Sequence, residues 1–345
     1  MSRDAATLDK HALGPWLERN IVGFAELKEI SKFADGQSNP TYLLEAESGR
    51  YVLRAKPPGQ LLKSAHQVDR EFRVMRALAD SGVPVPPALT ISGEGDASPI
   101  GRMFFVMGFV DGRIFWDPTL PGLASDERAG VYDAMNATLA ALHGVDVEKA
   151  GLADFGKPGS YFARQLGRWT QQYRASETEA NADMDALIAW LEANQPADDG
   201  RVALVHGDYR LDNMIFAHDA PRVIAVLDWE LSTLGHPFSD LAYQCMQWRL
   251  PHDSGFRGLG GIDRAALGLP SEAAYVESYC RRTGLSGIPE WRFCIAFSFF
   301  RLAAILQGVY KRALDGNASN PERGRTYGAA VPLIASMAVE SLEQD

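Results

Sequence analysis

A chain of 345 residues is long enough for two lobes with separate cores, and 46% hydrophobic with 23% charged residues is an ordinary globular composition, neither disordered nor fibrous. The net charge of -10 argues against general nucleic-acid or acidic-membrane binding, which needs clustered Lys and Arg; it would suit a cationic substrate, although solubility alone explains most acidic proteins.

Residues 7–20 read as a short amphipathic helix, with Leu8, Leu13, Trp16 and Leu17 on one side, packed on the outside of the first lobe. From Leu27 the pattern turns to period two. Strands are expected over Leu27–Phe33, Thr41–Glu47 and Tyr51–Lys56, joined by the turns Ala34–Asn39 and Ser48–Gly49, as an antiparallel meander. Alternation in the third strand puts Val52, Arg54 and Lys56 on one face and Tyr51, Leu53 and Ala55 on the other. A helix follows over Ala65–Ser81, with Val68, Phe72, Met75 and Ala79 as its apolar stripe and Glu71 beside it; the bland alternative is that Asp69, Arg70, Glu71 and Arg73 are a solvated face.

After the Pro-rich connection Val83–Pro87, strands at Ala88–Ile91 and Arg102–Val110 complete a five-stranded sheet. Met107–Gly112 reads as the link between lobes, because the pattern beyond it is helical. Helices are expected at Ser125–His143, with His143 at the C-terminal end in a capping or dipole role, and over Tyr161–Asn194 with a polar break at Ser176–Asp183. The two halves of that break, carrying Trp169, Tyr173 and Trp190, form either a hairpin over a substrate cleft or a plain packed hairpin. Helices from Phe238, and near Ser271–Thr283, Trp291–Leu314 and Tyr327–Leu342, finish the second lobe. Gly255–Gly261 follows no strand and precedes no clear helix, which rules it out as a nucleotide loop and suggests a mobile one. Phe293–Tyr310 is the most apolar stretch, but Arg301 and Gln307 interrupt it, so a buried helix is expected rather than a membrane span.

Cys245, Cys280 and Cys294 show no metal spacing and cannot all pair. With no apolar segment at the N-terminus, they point to a reducing cytoplasm and core roles, with no membrane and no nucleic-acid partner.

The chain centres on LVHGDYRLDN, Leu204–Asn213, and on the apolar strand Val223–Asp228 followed by Trp229-Glu230. Two acids and one amide, Asp208, Asn213 and Asp228, stand at the ends of two short strands. Phosphoryl transfer asks the protein for an acid to accept a hydroxyl proton and for magnesium ligands, and an Asp-x-x-x-x-Asn spacing followed by a strand-end Asp supplies them in the order of a kinase catalytic loop. A strand cation followed by a helix glutamate, here Arg54 or Lys56 with Glu71, is the pairing that holds nucleotide phosphates in kinases. The alternative is a chance set of turn residues and caps.

HGDYRLDN and LDWE resemble the signature of the aminoglycoside phosphotransferase and choline-kinase-like superfamily. GQSNPTYLL at Gly36–Leu44, VLRAKPPG at Val52–Gly59, the SAHQVDREFRVMRAL helix and GHPFSDLAY at Gly235–Tyr243 are similar to a subgroup that includes the kinase-like domains attached to some acyl-CoA dehydrogenases. The resemblance spans about residues 30–245. It implies a two-lobed α+β protein-kinase-like fold: residues 1–108 as a nucleotide-binding lobe with a five-stranded antiparallel sheet and a helix, and 109–345 as a mostly helical catalytic and substrate lobe.

On matching positions it implies Asp208 as the catalytic acid, with Arg210 the second catalytic candidate, and Asn213 and Asp228 as ligands of Mg2+. The nucleotide, ATP or GTP, would meet the turn residues Gly36, Gln37, Ser38 and Asn39, the Arg54, Lys56 and Glu71 set, and the hinge at Met107 and Phe109. Arg54 stands where the family usually has a phosphate-contacting Lys, and Lys56 shares its face, so either is open to touch phosphate. His206 and Asp240 are expected to support the loop, Asp212 to pair with Arg210, and Glu230 to reach the metal through water. The implied reaction is γ-phosphoryl transfer to a hydroxyl of a small molecule of aminoglycoside type; a kinase for hydroxyacyl-CoA or another metabolite, and a non-catalytic nucleotide-binding scaffold, are the alternatives. Neither the acceptor nor the oligomeric state is encoded in any recognisable motif.

Overall fold

The computed structural model describes residues 8–33, 39–58, 67–253, 255–316 and 321–343. Its first helix, α1 (Lys10–Asn20), begins behind Asp9, whose side chain accepts a hydrogen bond from the His11 amide at 2.9 Å. Pro15 lies inside α1 and opposes it, so the helix is held by burial of Leu13 and Leu17, each contributing about 1.5–3 kcal/mol. There follow β1 (Leu27–Lys32), β2 (Thr41–Ala46), β3 (Gly49–Ala55), α2 (Val68–Leu78), β4 (Ala88–Ile91) and β5 (Phe104–Gly108). The strands form one antiparallel sheet in the order β1-β2-β3-β5-β4, with Arg54 of β3 opposite Thr41 on one side and Phe105 on the other.

The expected alternation sorts β3. Leu53 and Ala55 join Leu13, Leu17, Leu44, Phe104 and Val106 in one core. Arg54 points the other way, toward α2, whose Phe72 meets Phe105 of β5 at 6.1 Å between ring centroids. The apolar stripe of α2 differs from the expected one. Its buried residues are Val68, Glu71, Val74, Met75 and Leu78, so Glu71 lies within the stripe rather than beside it, at 2% exposure, and is no part of a solvated face.

The rest of the chain is mostly helical. In chain order come α3 (Ser125–His143), α4 (Tyr161–Ser176), α5 (Ala182–Ala193), four short strands β6 (Ala203–Val205), β7 (Met214–Phe216), β8 (Val223–Val226) and β9 (Thr233–Gly235), then α6 (Phe238–Met246), α7 (Arg264–Leu267), α8 (Glu272–Thr283), α9 (Trp291–Leu314) and α10 (Pro321–Glu343). On α3, Val131, Met135, Leu139 and Leu142 are buried throughout. β6 and β9 pair antiparallel with Leu204 opposite Leu234. β7 and β9 escaped the sequence reading because three residues are too few for alternation to show. α9 is the centre of the helical core, packed by α4, α5, α6 and α10; it is long and apolar enough to cross a membrane, yet 72% of its most apolar window is buried in the protein.

Residues up to Arg113 together with Ile224–Leu231 make the first unit, and Ile114–Val223 with Ser232 onward make the second. Beside the single division expected at 108/109, this grouping puts the stretch carrying Asp228 and Glu230 with the first unit. The reason is local bonding. Val226 N donates to Pro84 O at 2.9 Å, and Trp229, 1% exposed, is fixed by its Nε1 donating to Val226 O at 3.0 Å.

The Gly255–Gly261 segment, expected as a loop, makes close backbone contacts at two of its glycines. A Cβ on Gly258 would sit 1.7 Å from Leu250 O, and Gly260 N donates to that same oxygen at 2.8 Å, so these glycines allow two backbones to touch.

Candidate active site

In the first unit a single guanidinium gathers carboxylates. Arg54 Nε lies 3.1 Å from the Glu71 carboxylate, its Nη2 lies 2.6 Å from Asp228 Oδ1, and Glu230 Oε2 is 3.7 Å away. Asn39 donates its Nδ2 to Glu71 Oε1 at 3.0 Å and to Glu230 Oε2 at 3.3 Å. Burial opposes the Arg54 charge, but Glu71, Asp228 and Glu230 outweigh it and hold the guanidinium firmly ionised. Burial likewise pushes the Glu71 carboxyl above the usual carboxylate range, Asp228 and Glu230 adding to the push against the pull of Arg54. Asp228 takes a left-handed backbone with φ of 65°, a conformation that a non-glycine residue adopts only where its surroundings impose it.

In the second unit, hydrogen bonds to backbone hold the loop after β6. Gly207 adopts φ of 85°, and the turn it makes exposes two N–H groups to one buried acid. Asp240, 0% exposed, accepts from His206 N at 2.6 Å on Oδ2 and from Gly207 N at 2.8 Å on Oδ1. His143 presents Nε2 to Asp240 Oδ2 at 3.4 Å while its Nδ1 meets the Tyr279 hydroxyl at 2.7 Å, so it braces this acid rather than merely ending α3. Burial works against the Asp240 charge, yet the hydrogen bond from His143 and the loop donors keep its carboxyl below the usual range. On the other side of the turn, buried Arg301 donates Nη2 to Gly207 O, its guanidinium 5.3 Å from the ring centre of Tyr243.

Asp208 sits within this frame. His206 Nδ1 accepts from Asp208 N at 3.2 Å, and Asn213 donates Nδ2 to Asp208 O at 2.9 Å and Oδ2 at 3.0 Å. Arg210 Nε is 3.3 Å from both Asp208 Oδ2 and Asp212 Oδ1. Burial raises the Asp212 carboxyl against the pull of Arg210.

Of the expected residues, then, Asn39, Arg54, Glu71 and Asp228 come together in the first unit, and Asp208, Arg210 and Asn213 in the second. Gly36, Gln37 and Ser38 lie outside the described residues. Lys56 does not join Arg54: its ammonium pairs with Glu94. Neither Met107 nor Phe109 is linked to the Arg54 cluster by a hydrogen bond or ion pair. Met107 lies within β5 between Val52 and Ala88, while Phe109 gives its N–H to Arg50 O at 3.3 Å and its ring to the Arg50 guanidinium at 4.1 Å. Glu230 contacts Asn39 and Arg54. His143, Tyr243, Tyr279 and Arg301 were not foreseen in these roles; only Arg301 carried a signal, an arginine inside the most apolar helix.

The donors suit magnesium, a hard cation that takes oxygen ligands. Within the second unit Asn213 turns its amide nitrogen to Asp208 and keeps Oδ1 as an oxygen donor, and within the first unit Asp228 has Oδ2 beyond the oxygen bound by Arg54. Among the described residues no group of three or more His, Cys, Asp or Glu side chains could hold a metal alone.

A profile of the phosphotransferase enzyme family matches residues 29–292. The chain belongs to this family. A Ralstonia eutropha protein of known structure, provisionally named an aminoglycoside phosphotransferase, is 46% identical and superposes with a TM-score of 0.87, over 97% of this chain and 98% of its own. The mouse acyl-CoA dehydrogenase family member 10 is 49% identical over 293 residues, which are 85% of this chain but 27% of that protein, as the likeness to kinase-like parts of such dehydrogenases led one to expect. The chain thus spans little more than a quarter of that relative. A thermostable mutant of aminoglycoside phosphotransferase APH(4)-Ia, solved with ADP and hygromycin B, shares the fold at a TM-score of 0.64 and 16% identity, covering 98% of this chain and 100% of its own. The kinase-like family fold, with its antiparallel five-stranded sheet and helical second part, is as expected.

Proposed function

We propose that the chain transfers the γ-phosphoryl group of ATP, with magnesium, to a hydroxyl of a small molecule. The observation that carries this reading is the setting of Asp208: a carboxylate pinned by Asn213 and Arg210 on a loop that Asp240 and Arg301 hold by its backbone. Such a carboxylate orients the acceptor hydroxyl and takes its proton as the oxygen–phosphorus bond forms and the bond to ADP breaks. Arg210 pairs with Asp208 and offers the rest of its fork to a phosphate oxygen. Arg54, fixed by Glu71, supplies the nucleotide-binding cation. Magnesium, when bound, would supply electrostatic stabilisation of the charge on the transferred phosphoryl group. The ADP in the APH(4)-Ia complex supports ATP over GTP as donor.

An aminoglycoside-type acceptor is supported by the Ralstonia relative, and a hydroxyacyl-CoA acceptor by the identity to acyl-CoA dehydrogenase family member 10. Purified protein with magnesium and γ-labelled ATP, offered aminoglycosides, sugars, choline-like alcohols and hydroxyacyl-CoAs, tests the reading. Transfer to at least one class is expected, and Asp208→Asn should lower it by about 10²–10⁴-fold while MgADP still binds. Undiminished transfer in that variant would sink the role of Asp208, and a wild type that binds no nucleotide would favour a scaffold.

A further inference from the structure

The segment GHPFSDLAY carries a histidine outside the Asp208 loop. α6, which bears Asp240, starts after Pro237, and a proline at a helix entrance has no side-chain group to accept a backbone N–H. His236 takes over that part. Its Nδ1 accepts from Phe238 N at 3.3 Å, and its carbonyl oxygen accepts from Ser239 N at 3.0 Å and from Ser239 Oγ at 2.8 Å. Because a backbone N–H can only donate, Nδ1 is unprotonated and the ring hydrogen sits on Nε2, directed at Asp199 Oδ1 3.3 Å away. Arg201 ties the pair to the helix: its Nη1 lies 2.7 Å from Asp199 Oδ2 and its guanidinium 5.1 Å from the ring centre of Phe238.

The imidazole is 8% exposed, yet it lines a cavity of about 400 Å³. Asp198, Asp199 and Arg201 face this cavity from the segment before β6, Lys157 and Tyr161 from the entrance to α4, and Glu290 and Cys294 from the entrance to α9. Burial pushes the imidazole below its ordinary value and Arg201 adds to the push, while Asp199 and Asp198 pull the other way. A proton on Nδ1 turns an acceptor into a donor and breaks the bond to Phe238 N. Third in the helix is Asp240, whose oxygens hold His206 N and Gly207 N just ahead of Asp208.

We propose that His236 is a positioning residue for phosphoryl transfer: its neutral imidazole, oriented by Asp199, caps α6, sets Asp240, and through Asp240 sets the turn that carries Asp208. This rests on the kinase reading and adds an acid limit to it. The cap is fully present above the usual imidazole value of about 6.5 and is lost as pH falls through the lower value of the folded protein. His143 and His206 bring two more imidazoles to Asp240, so variants of His236 itself are needed.

The test follows transfer between about pH 5 and 8 while NMR reads the His236 ring. His236→Ala should lower kcat by about tenfold at unaltered KM for ATP. His236→Asn, whose side-chain oxygen can accept the same N–H without titrating, should recover most of that loss and remove the acid limb that His236 contributes. Asp199→Asn should move the ring titration and the acid limb together to lower pH. The proposal is overturned if His236→Ala keeps the wild-type kcat, if the limb stays in place in His236→Asn, or if Asp199→Asn shifts the titration but not the limb. Should His236→Ala not fold, the paired shift in Asp199→Asn decides. The two readings fail separately: a wild type that transfers to no acceptor ends the kinase reading. Hydrogen exchange at His206 and Gly207 then decides the positioning, faster in His236→Ala and restored in His236→Asn if His236 sets the turn, unchanged if it does not.

Discussion

The Arg54 cluster and the Asp208 loop solve the problem of holding a charged side chain still by different means. Around Arg54 the restraint is charge on charge: one guanidinium amid Glu71, Asp228 and Glu230, with Asn39 the neutral member. Around Asp208 the restraint is mostly backbone, because Asp240 and Arg301 grip the N–H groups and the carbonyl of the turn. A cluster with more carboxylates than cations remains receptive to a further cation, whereas a loop whose amides are satisfied has a fixed shape whatever binds. The first suits a place where metal and nucleotide come and go, and the second a carboxylate whose position must not change.

That contrast can be broken by mutation, and the largest effect is expected at the charge-held cluster. Arg54→Met leaves buried Glu71 without its cation, and phosphoryl transfer should fall by about 10²–10³-fold, read as kcat/KM for ATP; Arg54→Lys should restore only part, since a lone ammonium cannot reach Glu71 and Asp228 as a fork does. Normal kinetics in Arg54→Met would remove this residue from the nucleotide site.

Next in size is Asp240→Asn, which replaces an acceptor of two loop N–H groups by an amide and should cost about 2–3 kcal/mol in denaturant unfolding. The sign of its pH dependence follows from a folded pKa below the unfolded value of about 3.9. The contribution of Asp240 is fully present above that value and is lost as pH falls through the folded pKa. Asp240→Asn should therefore flatten the loss of stability below about pH 4; an unchanged acid limb would show that this acid carries no such linkage.

His143→Gln should have a smaller effect, about 1 kcal/mol, together with a lower kcat at unaltered KM for ATP, because it touches the loop only through Asp240. Lys56→Ala should do least. Its partner Glu94 is on the surface, and the pair contributes within about 1 kcal/mol, so nucleotide affinity should stay at the wild-type value. A large loss in nucleotide affinity there would restore Lys56 as a phosphate contact.

Much of this was legible in local pattern. Period-two runs placed the five strands of the sheet to within a residue or two. Glu71 was less legible: helical spacing offered two adjacent stripes, and only the packing of α2 against the sheet made the one containing the carboxylate face inward. His143 illustrates the same gap at a distance, since nothing at the end of a helix announces an acid nearly a hundred positions later.

By itself the sequence put Asp208 and Asn213 on one loop, because a short turn after a strand decides which residues share it. It also put Arg54 and Lys56 on one strand face. Only the tertiary structure chose between them: β3 ends at Ala55, so Lys56 turns to Glu94 while Arg54, still in the ladder, is aimed at Glu71 and Asp228. Likewise Asp240, His143 and Arg301 acquired their parts from helices packed around the turn. Alternation and spacing act over a few residues, whereas a buried charge takes whatever partner the packing delivers, from anywhere in the chain.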